Sequence, residues 1–377
     1  MSVVYLSECT AYEPEILDRA VEEQFLALCP DGTVRPGCTV AVKPNLVMKR
    51  RPDDATTTHP AVVAAVIRAV KRRGAGRVVI VESPGGPYTP GALKGIYQAT
   101  GFAAMAEAEG AELNFNTDYE LREAKEFEKV SAFPLIAPAV QADLLINVAK
   151  LKSHCMTGMS CAAKNLFGLV PGLMKPEFHC RFPDKEDFCR MLVDLAVLAR
   201  PALNFVDGIV CMEGDGPSGG TPRRGNVLVG GADAFAVDVV CARLMAMDPR
   251  ELPMLRNAAE RGLVSLQPGA VSVAGADPEA FVMKNFRQPR SKTTDFMDRV
   301  PGVLRPLAKK VTTPRPAIHT RQCVGCGKCR ESCPQHTIDI RNGKARILYQ
   351  SCIKCFCCHE MCPVRAIRIR RFSLFDL

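Results

Sequence analysis

The first 285 residues alternate between short runs of β-branched and apolar residues and longer segments in which apolar residues recur every three or four positions. The short runs are typical of buried strands, and the longer spacing is typical of helices packed along one face. The predicted strands are 3–9, 39–42, 77–81, 113–115, 144–148, 203–206, 227–229 and 271–273. The predicted helices include 14–28, 60–71 (with Thr58 as its N-cap), 186–199 and 234–246. This alternation predicts an α/β domain over 1–285, a mainly parallel sheet with helices on both faces.

The segment 286–316 has a different composition, with five prolines and eight basic residues against two acidic ones. It is predicted to be a basic linker. An apolar spacing between Phe296 and Val311 also fits an amphipathic helix on a membrane surface, but Pro301 and Pro306 interrupt it. The remaining residues, 317–377, contain an internal repeat. They are predicted to form a separate domain, a small C-terminal α+β domain.

Each half of this repeat has the pattern C-x2-C-x2-C-x3-C-P, beginning at Cys323 and at Cys352. This spacing is typical of ferredoxin-like domains with two [4Fe–4S] clusters, in which the fourth cysteine of each half binds the other cluster. Gly325 and Gly327 allow the tight turns that point amides at the sulfurs. The predicted ligands are Cys323, Cys326, Cys329 and Cys362 for cluster I, and Cys352, Cys355, Cys358 and Cys333 for cluster II.

Two alternatives remain at the repeat. Zinc sites built from four cysteines also use C-x2-C pairs, although two interlocked copies with a trailing Cys-Pro favour iron–sulfur clusters. Cys357 fits neither set of four, so it is either a spare thiol packed beside a cluster or an alternative ligand.

Composition narrows the function classes. The chain has 377 residues, 18 cysteines and no tryptophan. No apolar run reaches the roughly 20 residues of a membrane span, and the N-terminus lacks the features of a signal peptide, so we expect a cytoplasmic protein with no transmembrane segment. Residues 286–377 carry 19 basic and 6 acidic residues, a net +13, whereas 1–285 carry 30 and 34, a net −4. Negatively charged iron–sulfur clusters and the docking of a redox partner protein would explain the positive charge of residues 286–377. Nucleic-acid binding is not expected.

Polar side chains follow several predicted strands. Because ligands of such sheets bind at the carboxyl ends of the strands, we expect a site there for an anionic small molecule. The candidate proton carriers are His59, Glu82 and His154. The candidate ligand-binding residues are Lys43, Asn45, Lys152, Lys164, Asn165, Asp207 and Glu213.

Histidines and cysteines between residues 154 and 180 permit two further interpretations. His154, Cys155, His179 and Cys180 would together offer a third metal site, but their spacing matches no common module. The simpler interpretation is a basic loop whose cysteines are buried as small apolar residues. The remaining thiols are interpreted as structural: Cys9, Cys29, Cys38, Cys189, Cys211 and Cys241.

Several motifs along the chain match one known family. They are Lys43-Pro-Asn-Leu46, Thr58-His-Pro60, Lys164-Asn-Leu-Phe-Gly168, Asp207-Gly208, Glu213-Gly-Asp-Gly-Pro217 and the segment Cys355–Pro363. Because these motifs occur in this order, the chain resembles the domain of unknown function 362 fused to a bacterial-type two-cluster ferredoxin. The resemblance implies an iron–sulfur protein and supplies no reaction.

Three functions fit these features. The first is a reductase in which two [4Fe–4S] clusters pass electrons to a substrate or cofactor at the carboxyl edge of the sheet. A flavin would be compatible, but no flavin motif is recognisable. The second is an electron carrier or accessory protein that serves a partner. The third is a non-redox enzyme whose clusters are structural or sense oxygen.

Overall fold

A nine-stranded sheet forms the centre of the computed structural model, which describes residues 2–123, 127–291 and 313–370. Its strands are β1 (Val3–Glu8), β2 (Thr39–Lys43), β3 (Arg77–Ile80), β4 (Glu112–Leu113), β7 (Leu144–His154), β8 (Gly158–Ser160), β9 (Leu203–Glu213), β10 (Thr221–Gly231) and β11 (Ser272–Gly275). They lie in the order β11-β1-β10-β9-β7-β2-β3-β4, with β8 paired to β7. A separate hairpin joins β5 (Tyr119–Glu123) and β6 (Ala132–Ile136).

The sheet is mainly parallel, as predicted. Each neighbouring pair from β9 through β7, β2 and β3 to β4 is parallel. Only β10 and β8 run against this direction, since β10 pairs antiparallel with both β9 and β1. The carboxyl ends of β2, β3, β7 and β9 therefore meet at one edge.

Helices cover both faces of the sheet. The helices of the described chain are α1 (Pro14–Leu28), α2 (Pro60–Arg72), α3 (Pro90–Ala99), α4 (Phe102–Glu109), α5 (Ala137–Val140), α6 (Ala162–Asn165), α7 (Met174–Arg181), α8 (Lys185–Ala199), α9 (Ala234–Leu244), α10 (Pro253–Glu260), α11 (Lys328–Glu331) and α12 (Cys357–Glu360). Short 3₁₀ turns lie at Pro52–Asp54, Leu166–Leu169, Pro249–Glu251, Pro278–Phe281 and Tyr349–Ser351.

Side chains that alternate along the strands contribute to two hydrophobic cores. In β2, Val40 and Val42 pack in the core formed with α1 to α4, whereas Ala41 points into the core that contains residues of α8 and α9. Each apolar side chain of this kind that is fully buried contributes about 1.5–3 kcal/mol relative to an exposed one. The two cores thus hold the sheet rigidly between helical layers.

Several predicted boundaries need correction. The N-cap of α2 is His59, whose Nδ1 accepts from the Ala61 amide, and not Thr58. Thr58 instead uses its hydroxyl to donate to the Val148 carbonyl and to accept from the Asn45 amide, so it ties a loop to β7. The predicted helix 234–246 ends at Leu244, and the predicted strand 113–115 is only Glu112–Leu113.

The three strands β7, β9 and β10 are each 11 residues long and extend well beyond the predicted 144–148, 203–206 and 227–229. Their extensions contain polar residues, which hides them from a search for apolar runs. In β7, the part from Lys152 to His154 stays extended because it pairs with β8. These extensions carry polar side chains past the edge where β2 ends.

The cysteine-rich part, residues 313–370, contains two small sheets. One joins β12 (Arg315–Ile318) to β15 (Ile367–Arg370), and the other joins β13 (Ile338–Arg341) to β14 (Lys344–Ile347). The predicted linker 286–316 lies mostly outside the described residues, and so does the alternative membrane-surface helix, since the structure does not describe 292–312. Among the helices that the structure describes, none has both the length and the apolar character of a membrane span.

The two halves of the cysteine repeat share one backbone path. Gly325 and Gly327 have φ of 67° and 80°, and the equivalent Lys354 and Phe356 have φ of 58° and 64°. The left-handed turns are therefore built into both halves, although only the first half uses glycine for them. A Cβ on Gly325 would overlap the carbonyl oxygen of Gly343, whereas one on Gly327 would meet nothing within 4 Å.

This difference predicts unequal effects of two alanine substitutions. Gly327→Ala is expected to cost about 1–2 kcal/mol, the penalty for an ordinary residue at positive φ. Gly325→Ala is expected to cost about 1–3 kcal/mol more, because its methyl group also displaces the segment at Gly343. The test is the temperature at which each anaerobic protein loses its iron–sulfur absorbance. Equal midpoints for the two variants would contradict the predicted contact.

Candidate functional site

A cavity lies at the carboxyl edge of the sheet, between the α/β part and the cysteine-rich part. Six of the ten predicted site residues line it: Asn45, Glu82, Lys152, His154, Lys164 and Asn165. Its other wall comes from the cysteine repeat, with Ser332, Cys357, Glu360 and Met361. The edge predicted from strand ends and the predicted iron–sulfur segment thus form one site.

Lys43 lies beneath this cavity and is buried against Glu82. The Lys43 Nζ is 3.1 Å from Glu82 Oε2, and both side chains are almost inaccessible. The Leu46 amide also donates to Oε2, and the Ser83 amide donates to Oε1, so both oxygens of this carboxylate are engaged. Glu82 therefore anchors the loops after β2 and β3 and neutralises Lys43.

Three other lysines line the cavity, and none of them has a carboxylate of the described residues at ion-pair distance. Lys152 donates to Asn45 Oδ1 at 2.8 Å and to the Thr56 carbonyl at 2.6 Å. Lys175 donates to the carbonyls of Ser83 and Pro84 and to the Ser83 hydroxyl. Burial lowers the pKa of Lys152 and that of Lys175 to about 7. Burial also lowers the pKa of Lys164, whose Nζ lies 5.2 Å from the centre of the Phe167 ring.

A chain of buried amides holds the floor of the cavity. Asn45 Nδ2 donates to Asn165 Oδ1 at 2.8 Å, and Asn165 Nδ2 donates to Asn147 Oδ1 at 2.7 Å. Asn147 in turn donates to Asn204 Oδ1 on β9. This chain fixes the Asn45 oxygen that accepts from Lys152, so the two predicted asparagines position a lysine.

His154 and Glu360 meet across the boundary between the two parts. The His154 Nε2 is 3.2 Å from Glu360 Oε1. His154 Nδ1 accepts from the amides of Met156 and Thr157, so the proton of the neutral ring lies on Nε2. Burial lowers the pKa of His154 to about 4. Burial alone would raise the pKa of Glu360, but His154 and then Lys164 lower it to about 2.

Further contacts fix the cysteine repeat over the sheet edge. Arg50 donates to the carbonyls of Cys362 and Pro363, and the Ser218 hydroxyl donates to the Glu360 carbonyl at 2.6 Å. Arg365 pairs with Asp54 at 3.3 Å. Because these contacts come from several loops of the α/β part, the repeat is held at a defined position against the cavity.

The thiols of the cysteine repeat lie close to one another within the cysteine-rich part. Cys329 is buried beside three other thiols, those of Cys362, Cys323 and Cys326, and burial followed by these charges raises its pKa to about 11. Cys358 has a raised pKa because of burial and then because of four neighbouring thiols, those of Cys355, Cys352, Cys333 and Cys329. The division of these thiols into two ligand sets stays a prediction.

The cysteine environment fits iron–sulfur clusters. Backbone amides aim at three of the sulfurs: Ala345 at Cys323 Sγ (3.4 Å), Thr337 at Cys333 Sγ (3.4 Å) and Ala366 at Cys362 Sγ (3.1 Å). Amide donors of this kind stabilise the negative charge of cluster sulfurs. Cys326 is the exposed member of these eight cysteines.

Cys357 occupies a different position from its neighbours. It is buried, it lines the cavity, and its hydrogen bond to Cys355 lowers the pKa of Cys355. Successive residues of a helix point about 100° apart, so Cys357 and Cys358 face different directions from α12. The Cys357 thiol lies between the cavity and the cysteines predicted for cluster II.

The other predicted candidates lie outside the cavity. The Tyr12 hydroxyl donates to Asp207 Oδ1 at 2.9 Å and Lys150 Nζ donates to Oδ2 at 2.8 Å, which satisfies Asp207. His59 stacks on Tyr12 with ring centres 3.7 Å apart. Glu213 forms ion pairs with Arg223 and Arg287, so it ties β9 and β10 to the chain at 287.

The hypothesis of a third metal site is wrong for the described chain. Its members point to different surroundings: His179 stacks on Phe188, Cys155 packs with Phe356, and Cys180 accepts from Gln335. No three His, Cys, Asp or Glu side chains of the described residues converge as a single metal ion requires. Of the six thiols interpreted as structural, five are buried, and Cys29 is partly exposed.

Sequence reasoning missed two important residues. Lys175 lies in the stretch 154–180 that was interpreted as a basic loop, but its contact with the Ser83 loop depends on a turn at Gly172, whose amide donates to the Ser83 hydroxyl. Glu360 lies inside the cysteine repeat, where the equivalent residue of the first half is the exposed Glu331. No sequence pattern separates these two glutamates, because only docking of the repeat brings one to His154.

Comparison with known proteins agrees with this architecture. Residues 40–243 match the model of the domain of unknown function DUF362, and residues 315–363 match a 4Fe-4S dicluster domain. The thylakoid-associated protein sll1697 of Synechocystis sp. is 34% identical over 259 residues, which are 68% of this chain and 78% of that protein.

Two solved structures also show similarity. The lactate racemase apoprotein of Thermoanaerobacterium thermosaccharolyticum matches with a TM-score of 0.42 and 17% identity over 65% of this chain and 57% of the racemase. A Thermotoga maritima protein matches with a TM-score of 0.39 and 13% identity over 64% of this chain and 61% of its own. The chain thus spans less than two thirds of either protein. From the family matches, the chain belongs to the DUF362 family and carries a C-terminal 4Fe-4S dicluster ferredoxin domain.

Proposed function

We propose that this protein is an iron–sulfur reductase that reduces a small molecule bound in the cavity with electrons supplied by two [4Fe–4S] clusters. One observation carries this proposal: the cysteine repeat forms a wall of the cavity at the carboxyl edge of the sheet. A mere tether would raise the local concentration of an electron carrier without building part of the binding site. Here Cys357 and Glu360 lie in that wall, directly beside the cysteines predicted for cluster II.

The proposed ligand sets follow the spacing of the cysteine repeat. Cys323, Cys326, Cys329 and Cys362 hold cluster I, and Cys352, Cys355, Cys358 and Cys333 hold cluster II. We also propose a division of the chain into an α/β domain (1–285), a linker (286–316) and a ferredoxin-like domain (317–377). Within this division, cluster II lies on the side of the cavity and cluster I on the side of the exposed Cys326.

The residues that line the cavity are proposed to have different roles toward the substrate. Lys152 and Lys164 bind an anionic group of the substrate, since both ammonium groups line the cavity. His154 holds a proton on Nε2 and is oriented by two backbone amides, so the neutral ring is positioned to donate a hydrogen bond to the substrate. Glu82 is engaged by Lys43, and His59 lies outside the cavity, so neither is assigned a proton-transfer role.

A redox partner protein is the proposed electron donor. The loop that carries Cys326 is exposed, with Val324 at 63% exposure, and basic residues such as Lys328 and Arg330 surround it. An apolar centre within a basic rim suits an acidic electron-transfer protein, because opposite charges steer the encounter.

The test begins with anaerobic purification, denaturation and identification of the released small molecules by absorbance and mass spectrometry. Iron and sulfide are counted in the same samples, with about eight of each expected per chain. A released molecule that the reduced protein converts in repeated turnovers is the expected result. Substitution of Cys326 and Cys355 is expected to abolish this turnover. Turnover that survives the loss of both clusters would contradict the reductase proposal and favour a non-redox enzyme.

A further inference from the structure

The charges that line the cavity do not balance. Lys152, Lys164 and Lys175 each contribute an ammonium group to its wall. Lys43 is also adjacent, but Glu82 compensates it at 3.1 Å. Among the described residues of the wall, the other carboxylate is Glu360, and it faces His154. Three lysine side chains thus share a largely buried wall with one carboxylate that is not engaged by Lys43, so the wall offers an anion more donors than acceptors.

The hydrogen bonds of these lysines show where a ligand would bind. Lys164 has no hydrogen-bond partner within the described chain, and its Nζ faces the ring of Phe167. Lys152 uses two of its three N–H groups, on Asn45 and Thr56, so one N–H remains. Lys175 uses all three of its N–H groups on the Ser83–Pro84 segment, so it acts on a ligand only through the electrostatic field of its charge.

Another buried polar atom in the same wall also lacks a partner. His179 is 4% exposed, and its Nδ1 has no hydrogen-bond partner among the residues that the structure describes. Buried polar atoms are satisfied in the great majority of native proteins, so an orphan atom beside unused lysine donors indicates a polar ligand. A bound anion would favour the ammonium forms of these lysines, which burial alone disfavours.

We propose that the ligand of this cavity is a small dianion, which offers carboxylate or phosphate oxygens to Lys164 and Lys152. This inference rests on the proposed function in so far as the cavity is the substrate site, and it names the chemical class of that substrate. No arginine of the described chain lines the cavity. Lysines act as point charges and do not impose the bidentate geometry of a guanidinium, so charge decides the selection.

The experiment measures anion binding to the anaerobic holoprotein by calorimetry at constant ionic strength. The probes are acetate, succinate and inorganic phosphate, which separate one charge from two and carboxylate from phosphate. Succinate or phosphate is expected to bind at least about 10-fold more tightly than acetate, because each charge-assisted hydrogen bond is worth roughly a factor of ten or more. Which of the two dianions binds more tightly identifies the oxygen chemistry.

Variants locate the binding site. Lys164→Met is expected to remove the preference for the dianion, and Lys164→Arg is expected to retain it because the charge remains. Lys152→Met is expected to weaken dianion binding by about 10-fold in the same way. Lys94→Met, on the exposed face of α3, is the matched control and is expected to change nothing. Iron content and circular dichroism verify that each variant is folded.

The outcomes separate this inference from the proposed function. Equal responses to acetate and to both dianions, including no response to any of them, would overturn the dianion proposal. So would an unchanged preference in folded Lys164→Met and Lys152→Met proteins. Reductive turnover of a neutral or singly charged molecule would overturn it while leaving the reductase intact. Dianion binding at these lysines without any reduction would leave the inference standing and count against the reductase.

Discussion

Replacing Cys358 with alanine is expected to lower the iron content of anaerobically purified protein from about eight to about four atoms per chain. Cys358 is buried beside Cys355, Cys352 and Cys333, the other three thiols assigned to cluster II. Three thiolates without the fourth leave one iron site open, so we expect the cluster to be lost during purification. The measurement is iron and sulfide per chain, together with absorbance in the visible range.

The adjacent Cys357 is the matched control for this substitution. Cys357→Ala is expected to keep about eight iron atoms, because its side chain lines the cavity and belongs to neither set of four. Both substitutions remove one buried thiol from the same short helix, so their general effects on folding are similar. Loss of iron from Cys357→Ala with retention in Cys358→Ala would show that the ligand assignment is wrong and that Cys357 binds the cluster.

Much of the fold follows from patterns that the sequence displays directly. Short β-branched runs and helical spacing predicted a mainly parallel sheet with helices on both faces, and the structure confirms it. The limits of the long strands were missed because their outer parts carry no apolar pattern. They stay extended because β7 pairs with β8 and β9. Thr58 was mistaken for a cap since its hydroxyl is equally suited to a loop, where it bonds Val148.

The site was predictable in position but not in composition. Strand ends indicated the edge at which the cavity lies, because the carboxyl ends of parallel strands meet there. The contribution of Glu360 depends on how the cysteine repeat docks against that edge, and this docking is a long-range arrangement without a local signal. For the same reason the sequence could not separate lysines with a buried partner from lysines without one. Lys43 and Lys164 look alike in the chain, yet only Lys43 has a carboxylate beside it.

This distinction predicts opposite consequences for stability. Lys43→Met is expected to destabilise the protein by about 3–5 kcal/mol, because it leaves the buried Glu82 carboxylate without a compensating charge. The double variant Lys43→Met with Glu82→Gln is expected to recover most of that loss, since no buried charge then remains. Unfolding in guanidinium, followed by circular dichroism under anaerobic conditions, measures both.

Lys164→Met is the informative comparison for this pair. It removes a largely buried cation that has no carboxylate of the described residues at ion-pair distance, so we expect a cost below about 1 kcal/mol, or a gain, because burying a charge without a close partner is unfavourable. If Lys164→Met destabilised as strongly as Lys43→Met, both lysines would be structural and the cavity would lose its principal anion-binding group. If Lys43→Met were harmless, the Lys43–Glu82 pair would not anchor the loops after β2 and β3. Stability loss at Lys43 with binding loss at Lys164 would separate the support of this cavity from its function.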